Sequence, residues 1–462
     1  MRALLATSIG VTCATAAAPA EPSGSTQSLP LRPLTDAVPR STGKPTESLN
    51  PAAAQGLLRR DSHRFSLVGV VWDDADTELH GTVQVRTRAT GTTKWSGWQS
   101  LETHNTDHAA DAGSPERESG TVRGSTAPLW VGDSDGVEVR VRSETAGPRS
   151  GAPDTAPLPK GLQVELVDPG DDPEPETAGA TPATGTPSAV TPSAGTATPA
   201  TATPASAAQP GALPEAPALS TAAAESSAVN ADLAPLGAAE IPALSKAESE
   251  EQAVVAAGAK PFVGPRPRIV TRKGWGADES LRERAFAYTS TVKAAFIHHS
   301  ATGNNYTCAQ APSVLRSIYR YHVKSSGWRD FGYNFAVDKC GNIYEGRAGG
   351  VTKAVLGAHT LGFNTNSMGI AVLGTYSSKN PPAAAVTAIA KLTAWKLGLF
   401  GRNPKGKVTL VSGGSGKYKK GAKAKLNVIS GHRDGFATEC PGIRLYNKLG
   451  TARTSSAKLQ GR

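Results

Sequence analysis

Lys293-Ala294-Ala295-Phe296-Ile297-His298-His299-Ser300 is an apolar run that opens onto two histidines, and it reads as a buried strand with those histidines at its C-terminal end. The segments around it alternate in type. Ala309 to Val323 places Val314, Leu315, Ile318 and His322 at helical spacing, with Pro312 suited to a first turn. Tyr333 to Lys339 and Gly341 to Glu345 read as a hairpin turning at Lys339-Cys340-Gly341, and Ser367 to Leu373 as a further strand. Ala383 to Leu399 is an amphipathic helix, Val408 to Leu426 a second hairpin around a Lys- and Gly-rich turn, and Val428 to Ser430 leads into His432. Strands and helices mixed in this way predict an α/β domain, a mixed central β-sheet flanked by helices.

A second cluster follows in Gly431-His432-Arg433-Asp434-Gly435-Phe436-Ala437-Thr438-Glu439-Cys440-Pro441-Gly442. An imidazole and a thiol on one short segment are two plausible zinc ligands, and a histidine from the upstream strand would make a third. Three protein ligands leave one position open for water, which is the arrangement of a catalytic site. Taken alone, His298-His299 is more often a packed or hydrogen-bonded pair. If the segment into Cys440 is extended, Thr438 falls on the same side of the backbone and brings a hydroxyl beside the metal. Tyr333 offers a second donor if its strand neighbours His298, with a purely structural tyrosine as the alternative.

Upstream the chain changes character. Residues 251 to 462 hold 32 Lys and Arg against 9 Asp and Glu, a net of +23, whereas residues 1 to 250 hold 17 against 30, a net of −13. The basic part suits an anionic wall polymer or another polyanion, although many lysines cluster between Lys405 and Lys425, where a solvated loop explains them equally well. No aromatic-interleaved nucleic-acid motif is present. Residues 1 to 20 read as a secretory signal ending in Ala18-Pro19-Ala20, and no later run approaches the roughly 20 apolar residues of a membrane span. A secreted, wall-associated protein is expected. Cys13 lies in that leader and Cys440 is the ligand candidate, so Cys308 and Cys340 remain as one disulfide.

Residues 21 to 60 read as disordered. Residues 65 to 168 read as an all-β sandwich-like domain, from the run Phe65 to Trp72, the alternation in Val83 to Arg88 and Val137 to Arg142, and Leu162 to Val167. Trp72, Trp95, Trp98 and Trp130 are assigned to core packing rather than to a carbohydrate platform. His63, His80, His104 and His108 show no metal spacing. Residues 169 to 262 form a Pro/Ala/Thr-rich disordered linker, with at most a brief helix between Leu236 and Ala257.

Six blocks in order carry a resemblance: Ile297-His298-His299-Ser300, Gly327 to Phe335, Tyr344-Glu345-Gly346-Arg347, Gly357 to Asn364, Ser367-Met368-Gly369-Ile370, and Gly431 to Gly442. Together, over residues 266 to 450, they resemble the peptidoglycan recognition protein family, which includes zinc N-acetylmuramoyl-L-alanine amidases. The resemblance implies zinc on His298, His432 and Cys440, with His299 as a cleft neighbour. It matches Tyr333 and Thr438 to catalytic positions, and His359, Asn364 and Arg347 to muramyl-peptide contacts. Members with another residue at the Cys440 position bind peptidoglycan without cutting it, so its presence favours a zinc amidase over a non-catalytic recognition protein. Ala348-Gly349-Gly350 stands where the family often signals stem-peptide type, so that guide is missing. A monomer is expected.

Overall fold

The computed structural model describes residues 24–34, 54–103, 105–144, 156–172, 219–257 and 262–462. The expected leader, Cys13, His104 and most of the expected linker lie outside these residues. Eight strands build the N-terminal part: β1 (Ser25–Pro30), β2 (Arg32–Pro33), β3 (Ala54–Trp72), β4 (Gly81–Ala89), β5 (Gln99–Leu101), β6 (Gly124–Ser125), β7 (Leu129–Ser143) and β8 (Gln163–Asp168). They pair antiparallel in the order β1-β8-β3-β7-β4-β5, with β2 and β6 added along β3. The long β3/β7 ladder loses register between Leu57 and Arg60 and again between Asp61 and Phe65. Such bulges bend a strand, and the folded sheet closes Val83, Val139, Val68 and Leu166 into one core.

The strands start earlier than residue 65. Ser25–Pro30 pairs along β8, and Ala54 to Leu57 pairs with β7. Residues 25–30 carry almost no apolar signal, because an edge strand is held through main-chain hydrogen bonds rather than side-chain burial. The tryptophans divide. Trp72 and Trp130 are buried, whereas Trp95 and Trp98 are partly exposed and stack under the guanidinium groups of Arg59, Arg86 and Arg140.

The expected linker is shorter than 169 to 262. Residues 219–257 carry α1 (Thr221–Ala228), β9 (Glu240–Ile241) and α2 (Lys246–Ala257), and β9 pairs with β10 (Ile269–Val270) at the edge of the second sheet. Helix α2 falls inside the stretch where a brief helix was expected, whereas Ala-rich composition hid α1 and β9. Ile241 and Ala253 enter the core, and Asn230 donates its amide to Glu345 Oε1 at 2.9 Å and accepts from Val351 N at 2.9 Å.

The rest of the C-terminal part runs β11 (Ala294–His299), α3 (Ala311–Arg320), β12 (Phe335–Val337), β13 (Ile343–Glu345), β14 (Ser367–Val372), α4 (Ala383–Leu399), β15 (Lys407–Val411), β16 (Lys423–Asn427), β17 (Ile429–Gly431), α5 (His432–Gly435), α6 (Ile443–Tyr446) and α7 (Leu449–Gln460). Its mixed sheet has the order β17-β11-β14-β12-β13-β10-β9, with β11 parallel to both neighbours. Helices α4 and α7 cover one face, where Ala295, Ile297, Ile370, Ile389 and Leu392 share a core. The domain therefore extends beyond residue 450, because α7 packs on α4 and Thr393 donates to Ser456 at 3.0 Å.

Helix α3 covers the other face. A capping box between Thr307 and Gln310 starts it, with Pro312 in its first turn. Cys308 just before it is disulfide-bonded to Cys340 in the β12–β13 turn, as expected, with the Cα atoms 6.2 Å apart. The outer side of α3 packs on the β-rich domain. Leu67, Val71, Trp130 and Val167 share a core with Val314, Leu315, Ile318 and Tyr319. The described parts of both domains form one compact unit.

Candidate metal centre and cleft

His298 projects from the face of β11 shared with Phe296, opposite the face that carries Ile297 into the α4 core. The neighbouring strand β17 ends at Gly431, so the next residue, His432, begins α5 at the same end of the sheet. The chain then bends through residues 436 to 438 and returns Cys440 to the histidines. Cys440 Sγ lies 3.7 Å from His298 Nδ1. The three predicted ligands are all buried and do come together, and both ring nitrogens of His432 lack a hydrogen-bond partner.

A fourth residue is present that spacing along the sequence could not reveal. His108, from the β5–β6 connection of the β-rich domain, places Nε2 at 3.6 Å from Cys440 Sγ. Ligand atoms of His108, His298, His432 and Cys440 all lie within 4.8 Å of one another. Zinc–sulfur bonds of about 2.3 Å and zinc–nitrogen bonds of about 2.0–2.1 Å at a tetrahedral angle would separate S and N by about 3.5 Å. Both measured S···N separations are close to that, so the donor set fits zinc. The unpartnered nitrogens of buried His432 point to the same conclusion.

Burial holds the His298 imidazole well below its ordinary range, with His432 and His108 adding to the effect, and brings His432 to about 3. These rings are neutral and ligand-ready at physiological pH. Burial pushes the Cys440 thiol up, and Asp107 and Glu102 act in the same direction. A metal taken up here must therefore displace the thiol proton. Burial opposes ionisation of Asp107, yet His108 and His432 beside it hold its carboxyl low. Burial, followed by Cys440, raises the Tyr333 phenol, which keeps its proton for donation.

The remaining expected residues divide into three groups. The Tyr333 ring lies 5.2 Å from that of His298. Thr438 is not on an extended strand: within the bend its Oγ1 accepts from Cys440 N at 3.1 Å. Glu439 points away and pairs with Arg433 at 2.7 Å. His299 accepts from Tyr376 N at 3.2 Å and sets Nε2 at 3.5 Å from Glu102, so it borders the cleft without joining the donor cluster. His359 is fully buried behind His298, its ring against Gly369, where a Cβ would approach within 2.4 Å. Asn364 and Arg347 are buried, and both are bonded to the β-rich domain. Asn364 Nδ2 donates to Ala109 O and Asp111 Oδ1 at 2.8 and 2.7 Å. Arg347 makes a bidentate pair with Glu116 at 2.7 and 2.8 Å.

A mixed sheet with two histidines and a cysteine gathered at one end of adjacent parallel strands defines a class of metal-site α/β proteins. Residues 288–443 match the family model described as N-acetylmuramoyl-L-alanine amidase, and residues 17–160 match the one described as Rv3811 N-terminal galactose-binding domain-like. The chain is 32% identical over 183 residues to peptidoglycan-recognition protein SC2 of Drosophila simulans, which covers 40% of this chain and 85% of that protein. It is 31% identical over 190 residues to N-acetylmuramoyl-L-alanine amidase of Homo sapiens, covering 40% of this chain and 28% of the human protein. Wild-type Drosophila PGRP-LB, a solved structure, is 26% identical over 40% of this chain and 92% of that one; its TM-score of 0.32 carries no weight. The chain belongs to the family of peptidoglycan-recognition proteins and N-acetylmuramoyl-L-alanine amidases.

Proposed function

We propose that this protein is a secreted, zinc-dependent amidase that hydrolyses the amide between N-acetylmuramic acid and L-Ala of peptidoglycan. The observation that carries the reading is the buried convergence of His298, His432 and Cys440, with Cys440 Sγ 3.7 Å from His298 Nδ1. Those three residues would hold the zinc. When bound there it would supply Lewis-acid polarisation of the amide carbonyl and a lowered pKa for an attacking water. Tyr333, kept protonated by burial, donates to the oxygen on which charge develops. Thr438 fixes the Cys440 turn through the main-chain nitrogen and is the second polar residue assigned to the reaction. The stem peptide leaves as an amine. The name of the human relative supports the activity, and the relatives named for peptidoglycan recognition support the ligand class. The signal-like N-terminus and the Cys308–Cys340 disulfide support export. Among the described residues no helix is long and apolar enough to cross a membrane.

The test is product analysis. The full chain is incubated with purified peptidoglycan, and the soluble fraction is examined by mass spectrometry. Free stem peptides with an N-terminal alanine are expected, abolished by a chelator and by Cys440→Ala. If zinc-loaded wild type releases none, and neither does His108→Ala, the hydrolase reading fails while a binding role stands.

A further inference from the structure

We propose that residues 105 to 123 of the β-rich domain are a built-in closure of the cleft, and that His108 is a fourth ligand of the metal held by His298, His432 and Cys440. The inference rests on the metal-hydrolase reading of the site and adds a regulatory state to it. His108 is oriented as metal-bound histidines usually are: Nδ1 is bonded to the Asp107 carboxylate at 2.8 Å, which leaves Nε2 free to face Cys440 Sγ. Asp107, which is 2% exposed, also lies 3.8 Å from His432 Nδ1. One buried carboxylate thus bonds one of the four imidazole and thiol donors and lies close to a second. Four protein donors complete a tetrahedron, which is the arrangement of a structural zinc site; three leave the position that catalysis needs.

The rest of the segment lies along the groove on either side of the metal centre. On one rim, Leu361 N donates to Asp107 O at 2.9 Å, Gly362 N to Asp111 Oδ1 at 2.7 Å, and Asn364 to Ala109 and Asp111. On the other, Glu116 takes both terminal nitrogens of Arg347 and the main-chain N–H of Arg329 at 3.2 Å. Beyond it, Thr121 Oγ1 donates to Gly327 O at 2.9 Å, and Arg123 N to Ser326 O at 3.0 Å. Asn364 and Arg347 are two of the three residues expected to receive a muramyl peptide. A main-chain carbonyl and two carboxylates now occupy their hydrogen-bonding groups, which is the chemistry a peptide stem bearing carboxylates would bring. Substrate and closure therefore compete for the same donors, and the chain in this form is latent.

The experiment uses the full chain loaded with Co(II), whose visible absorption reports coordination number and access by added anions. The wild type is expected to show a four-coordinate spectrum that azide does not change. His108→Ala should still bind one metal, but with a changed spectrum that shifts further with azide. Release of stem peptides from peptidoglycan should rise at least about tenfold over wild type. Identical spectra and identical azide responses in the two proteins would overturn the closure. Spectra that differ as expected, with no peptide released by either protein, would uphold the closure and sink the amidase reading instead. If His108→Ala does not fold, Asp111→Asn with Glu116→Gln keeps His108 and removes the charges that hold the loop on Asn364 and Arg347. An azide response present in that variant and absent in the wild type supports the closure, and an equal response in both overturns it.

Discussion

Tyr333 illustrates what one side chain contributes. Its ring stands 5.2 Å from His298 and 5.9 Å from His108, and it sits one turn of chain after Phe331, whose ring packs on it at 5.8 Å. That packing fixes the phenol over the donor cluster, and burial keeps it protonated. In a His108→Ala background, Tyr333→Phe should leave zinc stoichiometry unchanged and lower peptide release by about 100-fold, the usual loss for one oxyanion donor. Metal analysis and a release assay on the same preparation check it; loss of zinc would mean the tyrosine holds the site together instead. The choice between His298 and His299 was legible through the family resemblance, which puts the ligand directly after the Phe296-Ile297 pair. The role of His359 was not. A histidine in a glycine-rich turn gives no sign of whether it faces a ligand or packs against Gly369, as it does here.

At the scale of elements, the mixed sheet and its helices were readable because apolar spacing is a local property. Helix α4 differs from its expected amphipathic form. It is buried on nearly all sides, since α7, which carries weak periodicity, covers the face that was expected to meet solvent. Lys396 shows the consequence. Its ammonium is buried, donates to Val351 O and Lys353 O at 2.5 and 2.6 Å, and has its pKa brought by burial down to about 7. A depressed amine contributes stability that is present above its unfolded value near 10.5 and is lost as pH falls through about 7. Wild type should therefore gain on Lys396→Met between pH 7 and 10, by on the order of 1 kcal/mol per unit. Denaturant titrations at pH 7 and 9.5 test this, and equal gains in both proteins would refute it. The β15–β16 hairpin forms where the sequence placed it. Leu410, Ala424 and Leu426 point inward, and Lys407, Lys423 and Lys425 stand exposed on one ordered ribbon. A polyanion-docking role for that ribbon remains a proposal.

The whole molecule is organised by the contact between β3 and α3. Val68, Val70 and Trp72 enter one core and Leu67 and Val71 the other, while Gly69 lies beneath Tyr321, whose hydroxyl donates to Thr126 O at 3.0 Å. A Cβ at Gly69 would meet that hydroxyl at 2.3 Å. Gly69→Val should therefore wedge the domains apart. A single thermal transition would split in two, and cleavage between residues 105 and 123 by an added protease would become faster. Unchanged melting and cleavage would show that the interface absorbs the side chain.

The run from Leu67 to Trp72, with no charged or hydroxyl side chain, was a sequence signal of this interface, because a strand facing solvent on one side alternates and this one does not. Local periodicity by itself determined the mixed α/β elements and cysteine accounting the disulfide partners, while the choice of His298, His432 and Cys440 as donors came from the family resemblance of the six sequence blocks. Only the tertiary structure decided that Asp107-His108 closes that set. The physical reason is separation: 189 residues lie between His108 and His298. No local pattern encodes a hydrogen-bonded loop that reaches its partners only after two domains share a core.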